Sequence, residues 1–257
     1  MPGIFQAVGA KACQTFAALF NCAINFFKVL AQCVTPPFYL GNFLYQMIFI
    51  GFYSLPIIGM TALFSGAVMA LQSYTGFSRF SAENSIPMVV ALSLTRELAP
   101  VLTGLMVTAR VGASIAAEIA TMRVTEQIDA LYTLSTSSIK FLIAPRILAS
   151  FFSMPLLVVV ADIVGIMGGY IVSVYKLEFN SANYISNTIK YLNIADVASG
   201  LVKALAFGLI ISATSCFFGY NAQNGAKGVG VAATNAVVSS SILILLSNYL
   251  ITEILFH

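Results

Sequence analysis

The chain has 257 residues, of which 59% are hydrophobic and 8% charged, with a formal net charge of +3. A soluble domain carries about 25% charged residues, so a water-facing globule is excluded, and so is a nucleic-acid surface, because no basic run occurs. The apolar stretches, at a mean hydropathy of +0.93, are long enough to span a bilayer at ~20 residues each.

In chain order, residues 1–34 lack the charged start and small-residue cleavage site of a signal peptide. Lys11, Gln14, Asn21, Asn25, Lys28 and Gln32 share one helical stripe against Phe16, Leu19, Phe20, Ile24, Phe27 and Leu30. That pattern predicts an amphipathic helix lying in the membrane interface; a sixth spanning helix is the rival reading. Few serines and arginines at the start favour a bacterial inner (cytoplasmic) membrane over a plastid. Spanning helices are predicted at 45–71, kinked at Pro56, and at 86–109, 145–175, 196–220 and 232–255. A polar connector covers 176–195 and a Gly/Asn turn 221–230. No internal repeat is visible, so the expectation is a single all-α membrane domain over 1–257. With the N-terminus cytoplasmic, seven basic residues (Lys11, Lys28, Arg110, Arg123, Lys140, Arg146, Lys227) fall inside and three (Arg79, Lys176, Lys190) outside. That asymmetry sets the predicted orientation.

Several residues resist a packing explanation. Arg96 and Glu97 lie inside the second span, where each charge costs ~2.5–3.5 kcal/mol. Successive helical residues point roughly 100° apart, so the two cannot pair with each other. Pro100 removes the helical donor of the Arg96 carbonyl. Asp196 and Lys203, seven residues apart on one face of the fourth span, are the nearest partners by type: the expected pairs are Glu97 with Lys203 and Arg96 with Asp196. Such a cluster marks a transport path or gate, or else a buried ion pair that fixes helix register. Asp162 precedes Gly165, Gly168 and Gly169, which suit close helix contact. It is neutral, hydrogen-bonded across that contact, or part of a proton relay.

The segment 118–131 is too polar to span and too patterned for a loose loop. Val124, Ile128 and Leu131 form an apolar seam, and Glu118, Thr121, Thr125 and Asp129 a polar one. It reads as a cytoplasmic helix that docks on a partner, or as a plain interfacial helix. Cys13, Cys22, Cys33 and Cys216 have neither CxxC spacing nor neighbouring histidines, and read as apolar packing residues; His257 stands alone. No metal site is expected. No G-x-x-x-x-G-K-[ST] phosphate loop occurs, so ATP hydrolysis, if it drives this protein, belongs to another chain.

The run LTRELAPVLTGLMVTARVGASIAAEIATMRVTEQIDAL within Leu92–Leu131 resembles the MlaE family of ABC permeases. The likeness continues through Ala144–Arg146, Pro155, the ADIVGIMGG stretch, Asp196–Lys203 and Phe218-Gly219-Tyr220, nearly the whole chain. The resemblance implies a permease homodimer, with a cytoplasmic ABC ATPase that uses ATP while this chain binds no cofactor. It also implies an MCE-domain partner outside, a STAS-domain protein in attendance and phospholipid as cargo. It makes 118–131 a coupling helix, with Glu118, Met122, Arg123, Glu126, Gln127 and Asp129 toward the ATPase, and 1–34 an elbow helix. It places Arg96, Glu97, Asp196 and Lys203 near a lipid cavity. Met69, Phe77, Phe80, Leu94 and Leu98 are the candidate acyl-chain lining, with Arg96 and Lys203 nearer a headgroup or gate. The tract 221–230, rich in glycine and small residues, departs from the family pattern.

Three other classes are weighed. An intramembrane enzyme lacks a base or ligand set. A proton-coupled secondary transporter using Glu97, Asp162 and Lys203 lacks the inverted repeats of such folds. A purely structural scaffold is argued against by charges at membrane depth.

Overall fold

The computed structural model describes residues 39–80, 82–223 and 225–256. The expectations for 1–34, for Cys13, Cys22 and Cys33, for His257 and for the side chain of Phe80 lie outside the described residues. Among the described residues there is no strand, and five helical segments are long and apolar enough to cross a membrane: Leu40–Phe77, Glu83–Val124, Ile139–Tyr175, Ile194–Tyr220 and Gly225–Phe256. The protein is an all-α, multi-pass membrane protein.

The first span is two helices, α1 (Leu40–Ile50) and α2 (Leu55–Phe77), joined by a 3-10 turn at Phe52–Ser54. Pro56 occupies the first turn of α2, where its missing N–H costs nothing. The break therefore precedes the proline. It is held from the second span: Arg110 Nη1 donates to Ser54 Oγ at 2.6 Å and to the Phe49 carbonyl at 3.5 Å.

The second span comprises α3 (Ile86–Ser93), α4 (Ala99–Val107) and α5 (Ala113–Val124), separated by π turns at Leu94–Leu98 and Thr108–Gly112. Its expected end near residue 109 is not a helix end. Over 42 residues it extends about 63 Å at 1.5 Å per residue, twice the ~30 Å hydrocarbon core, so one end projects beyond the lipid. The expected single helix over 118–131 is broken too. The backbone turns at Thr125 and Glu126, Glu126 takes φ 60°, and α6 (Gln127–Thr133) starts anew. The Thr125 N–H and hydroxyl both bond to the Thr121 carbonyl, at 3.0 and 2.8 Å.

The third span is α7 (Ala144–Tyr175), preceded by a π turn at Ile139–Ile143. Its glycines act as the sequence suggests. A Cβ on Gly66 would collide with the Gly165 carbonyl, and one on Gly168 with that of Leu63, so α2 and α7 pack backbone to backbone. The stretch read as a polar connector contains a helix, α8 (Ser181–Tyr191), whose N-cap Asn180 accepts from the Asn183 N–H. The fourth span is α9 (Ile194–Tyr220), opened by a capping box between Asn193 and Asp196. The fifth, α10 (Gly225–Phe256), begins inside the tract expected to be a turn. Gly228 allows this, because a Cβ there would strike the Gln223 carbonyl where the chain folds over the helix start. Phe207, Ile211, Ile115, Ile119, Ile147, Met154 and Cys216 belong to the main core, while Phe52, Phe64, Leu156, Ile163 and Leu246 are exposed, as suits an apolar surround.

Candidate functional site

The π turn Leu94–Leu98 presents Arg96 and Glu97 toward α9 and α10. The close approach depends on Gly200: a Cβ there would lie 2.5 Å from the Thr95 carbonyl oxygen. Within this gap both expected pairs form. Lys203 Nζ donates to Glu97 Oε1 at 2.7 Å, and Arg96 holds Asp196 Oδ1 through Nε at 2.7 Å and Nη2 at 2.5 Å. Asp196 Oδ2 accepts the Asn193 N–H at 3.1 Å, so one carboxylate both caps α9 and binds the second span.

Lys203 donates again, to the Arg96 carbonyl at 2.7 Å. Pro100 cannot supply that acceptor with a helical N–H. The lysine side chain has 0% exposure and the aspartate 2%, against 38% for Arg96 and 39% for Glu97. Lys203, expected near a headgroup or a gate, is enclosed, and of the two cations Arg96 alone is reachable.

Sequence reasoning missed the contribution of the fifth span. Asn248 Nδ2 donates to Glu97 Oε2 at 2.9 Å and Thr252 Oγ1 to Oε1 at 3.0 Å. The Arg96 guanidinium lies over the Phe256 ring, 4.6 Å from its centre. Residues 248, 252 and 256 recur every four positions, one face of α10. A polar pair at that spacing inside an apolar run was the available signal.

Asp162 stays apart. It is 6% exposed, its Oδ1 has no hydrogen-bond partner among the described residues, and no hydrogen bond or ion pair joins it to Glu97 or Lys203. Of the candidate acyl-chain residues, Leu94 is 1% exposed and packs with Ala70, Ile86 and Val90, because the close α7 contact at Gly165 lies against it. Met69, Phe77 and Leu98 are half-buried against the same cluster.

At the other end of the bundle the docking residues divide. Glu118, its side chain still 43% exposed, accepts from the buried Arg146 Nη2 at 2.9 Å, an ion pair between the second and third spans. Met122 packs on the core. Arg123 bridges the turn to Asp129 at 2.8 Å, and Glu126 and Gln127 are exposed. Glu126, Gln127 and Asp129 are thus exposed, and Arg123 and Glu118 partly so.

Five apolar helices stapled toward one end by a neutral charge network, with a short polar helix at the opposite end, define a polytopic membrane protein of the transporter type. The family model for the MlaE permease matches residues 43–254. The chain belongs to the MlaE family of ABC transporter permeases. It is 63% identical over 234 residues to a protein of Rickettsia typhi named as a probable ABC transporter permease, covering 91% of this chain and 90% of that one. A Synechocystis protein of the same designation is 41% identical, over 84% of this chain and 82% of its own length. The Haemophilus influenzae intermembrane phospholipid transport system permease protein MlaE is 33% identical over 98% and 97% of the two chains.

Proposed function

We propose that this permease is the membrane subunit of an ATP-driven phospholipid transporter, working as a homodimer in a bacterial inner membrane with its N-terminus cytoplasmic. ATP is hydrolysed by a separate ABC ATPase that seats on the turn Met122–Asp129. An MCE-domain protein exchanges lipid at the opposite end, and a STAS-domain protein attends the ATPase.

The observation that carries this reading is the separation of two polar assemblies by the length of the bundle. One is the exposed group of Glu126, Gln127 and Asp129, with Arg123 partly exposed, at the α5 end of the second span. The other is the Arg96–Asp196 and Glu97–Lys203 network, built around the π turn Leu94–Leu98 and Pro100. π turns are frequent at functional sites, and helices with irregular backbone admit two packings that a docked motor can bias. The half-exposed Arg96 suits an anionic phosphate, whereas Lys203 fixes the packing.

A proton-coupled carrier would need Glu97, Asp162 and Lys203 in one relay, and Asp162 is joined to neither of the others. The test is affinity purification in mild detergent followed by reconstitution with labelled phospholipid. This reading expects an ATPase to co-purify and lipid to move only with hydrolysable ATP. Lipid or proton movement by the chain alone, with no nucleotide, would refute it.

A further inference from the structure

The end of α9 is tied directly to the docking segment. The hydroxyls of Tyr132, in α6, and Tyr220, the last residue of α9, are 2.9 Å apart. Ser138 Oγ donates to Tyr132 at 3.4 Å. The Arg123 guanidinium lies 5.9 Å from the centre of the Tyr220 ring while also holding Asp129. These contacts gather the end of α5, helix α6 and the approach to the third span around one tyrosine of the fourth.

α9 is also suited to carry displacement. The first span is broken at Phe52–Ser54, the second holds two π turns and Pro100, and the third has Pro155 inside it. α9 runs from Ile194 to Tyr220 without a proline or a π turn. Its far half holds Asp196 and Lys203. The 17 residues from Lys203 to Tyr220 span about 25 Å at 1.5 Å per residue, and an uninterrupted helix moves over that distance as a unit.

We infer that the Tyr132–Tyr220 hydroxyl pair is a positioning contact that passes movement of the docking segment along α9 to the Lys203–Glu97 and Arg96–Asp196 pairs. Glu126 in the left-handed region and Ser135 at φ 55° bracket α6, so it can turn as a short body while the hydroxyl pair keeps it in step with α9. The inference rests on the reading of an ATP-driven permease, and it adds the residues that convert attachment of the ATPase into lipid movement.

The test uses Tyr132→Phe, Tyr220→Phe and the double variant, each purified with its ATPase and reconstituted in phospholipid vesicles. Phenylalanine keeps both rings, and with them the stacking against Arg123, and removes only the hydroxyls. Three quantities are read: ATPase recovered with the permease, ATP hydrolysed, and lipid transferred per ATP. The expected result is ATPase recovery and hydrolysis within twofold of the parent, with lipid per ATP falling at least threefold in each single variant. The double variant falls no further than the worse single, because either change breaks the same bond. Unchanged lipid per ATP overturns the inference, as does loss of ATPase attachment, which would make the pair a docking contact. A double variant whose loss is the product of the two singles also overturns it. If the parent permease brings down no ATPase, the underlying reading falls, and this one with it.

Discussion

Lys203 donates to the main-chain carbonyl of Arg96 at 2.7 Å, the acceptor that Pro100 leaves without a helical partner. A charged side chain thereby replaces a backbone donor, and the irregular second span is repaired from the fourth. Lys203→Met removes both the bond to Glu97 and the bond to the Arg96 carbonyl, and should cost about 1–3 kcal/mol, mostly from the acceptor left without a donor. Pro100→Ala restores a backbone N–H, so Lys203→Met should be less damaging in that background by roughly 1 kcal/mol, the worth of one hydrogen bond. Thermal unfolding in detergent of the four proteins checks this, and equal losses in both backgrounds would refute the repair.

The Glu97–Lys203 bond is one arm of a shared network, since Asn248 and Thr252 also donate to Glu97. Glu97→Gln and Lys203→Met should be coupled by about 0.5–3 kcal/mol, in the range for contacting residues. The double variant should lie close to the worse single. A full exchange of the two charges should recover only part of the loss, because a glutamate at 203 would face the Arg96 carbonyl. Complete recovery on exchange would show that this carbonyl contact contributes nothing.

Gly200 should be intolerant. A methyl group there meets the Thr95 carbonyl at 2.5 Å, and backbone cannot step aside as a side chain can. Gly200→Ala should destabilise by about 1–3 kcal/mol through overpacking and reduce lipid transfer by displacing Asp196 and Lys203. Gly76, also helical, has nothing within 4 Å of its built Cβ. Gly76→Ala should be neutral or gain up to about 1 kcal/mol from helix propensity. Similar melting shifts for both would refute close packing at Gly200.

Arg110 offers a separate test at the broken first span. Its bonds to Ser54 Oγ and the Phe49 carbonyl satisfy groups freed where α1 ends. Arg110→Ala should loosen that junction, giving faster hydrogen exchange at residues 50–55 while the α9 amides keep their protection. Unchanged exchange at the junction would show that the break stands unaided.

Much of this architecture is legible in the sequence because lipid imposes a strict length and polarity rule. The five spans follow from it, and the two charge pairs follow because four intramembrane charges have few possible partners. What escaped notice did so for physical reasons. Asn248 and Thr252 are uncharged, so they raise little alarm in an apolar run, although their spacing of four placed them on one face. The helix 118–131 was expected whole because its apolar seam continues in register through the break, whereas Glu126 takes a left-handed backbone there that no residue pattern in the seam announces. α8 was hidden because its polar face made it look like a linker; the N-cap Asn180 was the available signal. Leu94 was expected against acyl chains. It is buried because Gly165 brings α7 close against the second span, a backbone approach that hydropathy does not reveal.

The most direct measurement replaces Met122–Asp129 by a scrambled sequence of the same residues. Two quantities are followed together: ATPase bound to the purified permease, and ATP-dependent phospholipid transfer in vesicles. The account predicts that both are lost while the protein still folds and inserts, as judged by an unchanged melting transition of the span region. ATPase attachment and lipid transfer at parental levels would contradict it.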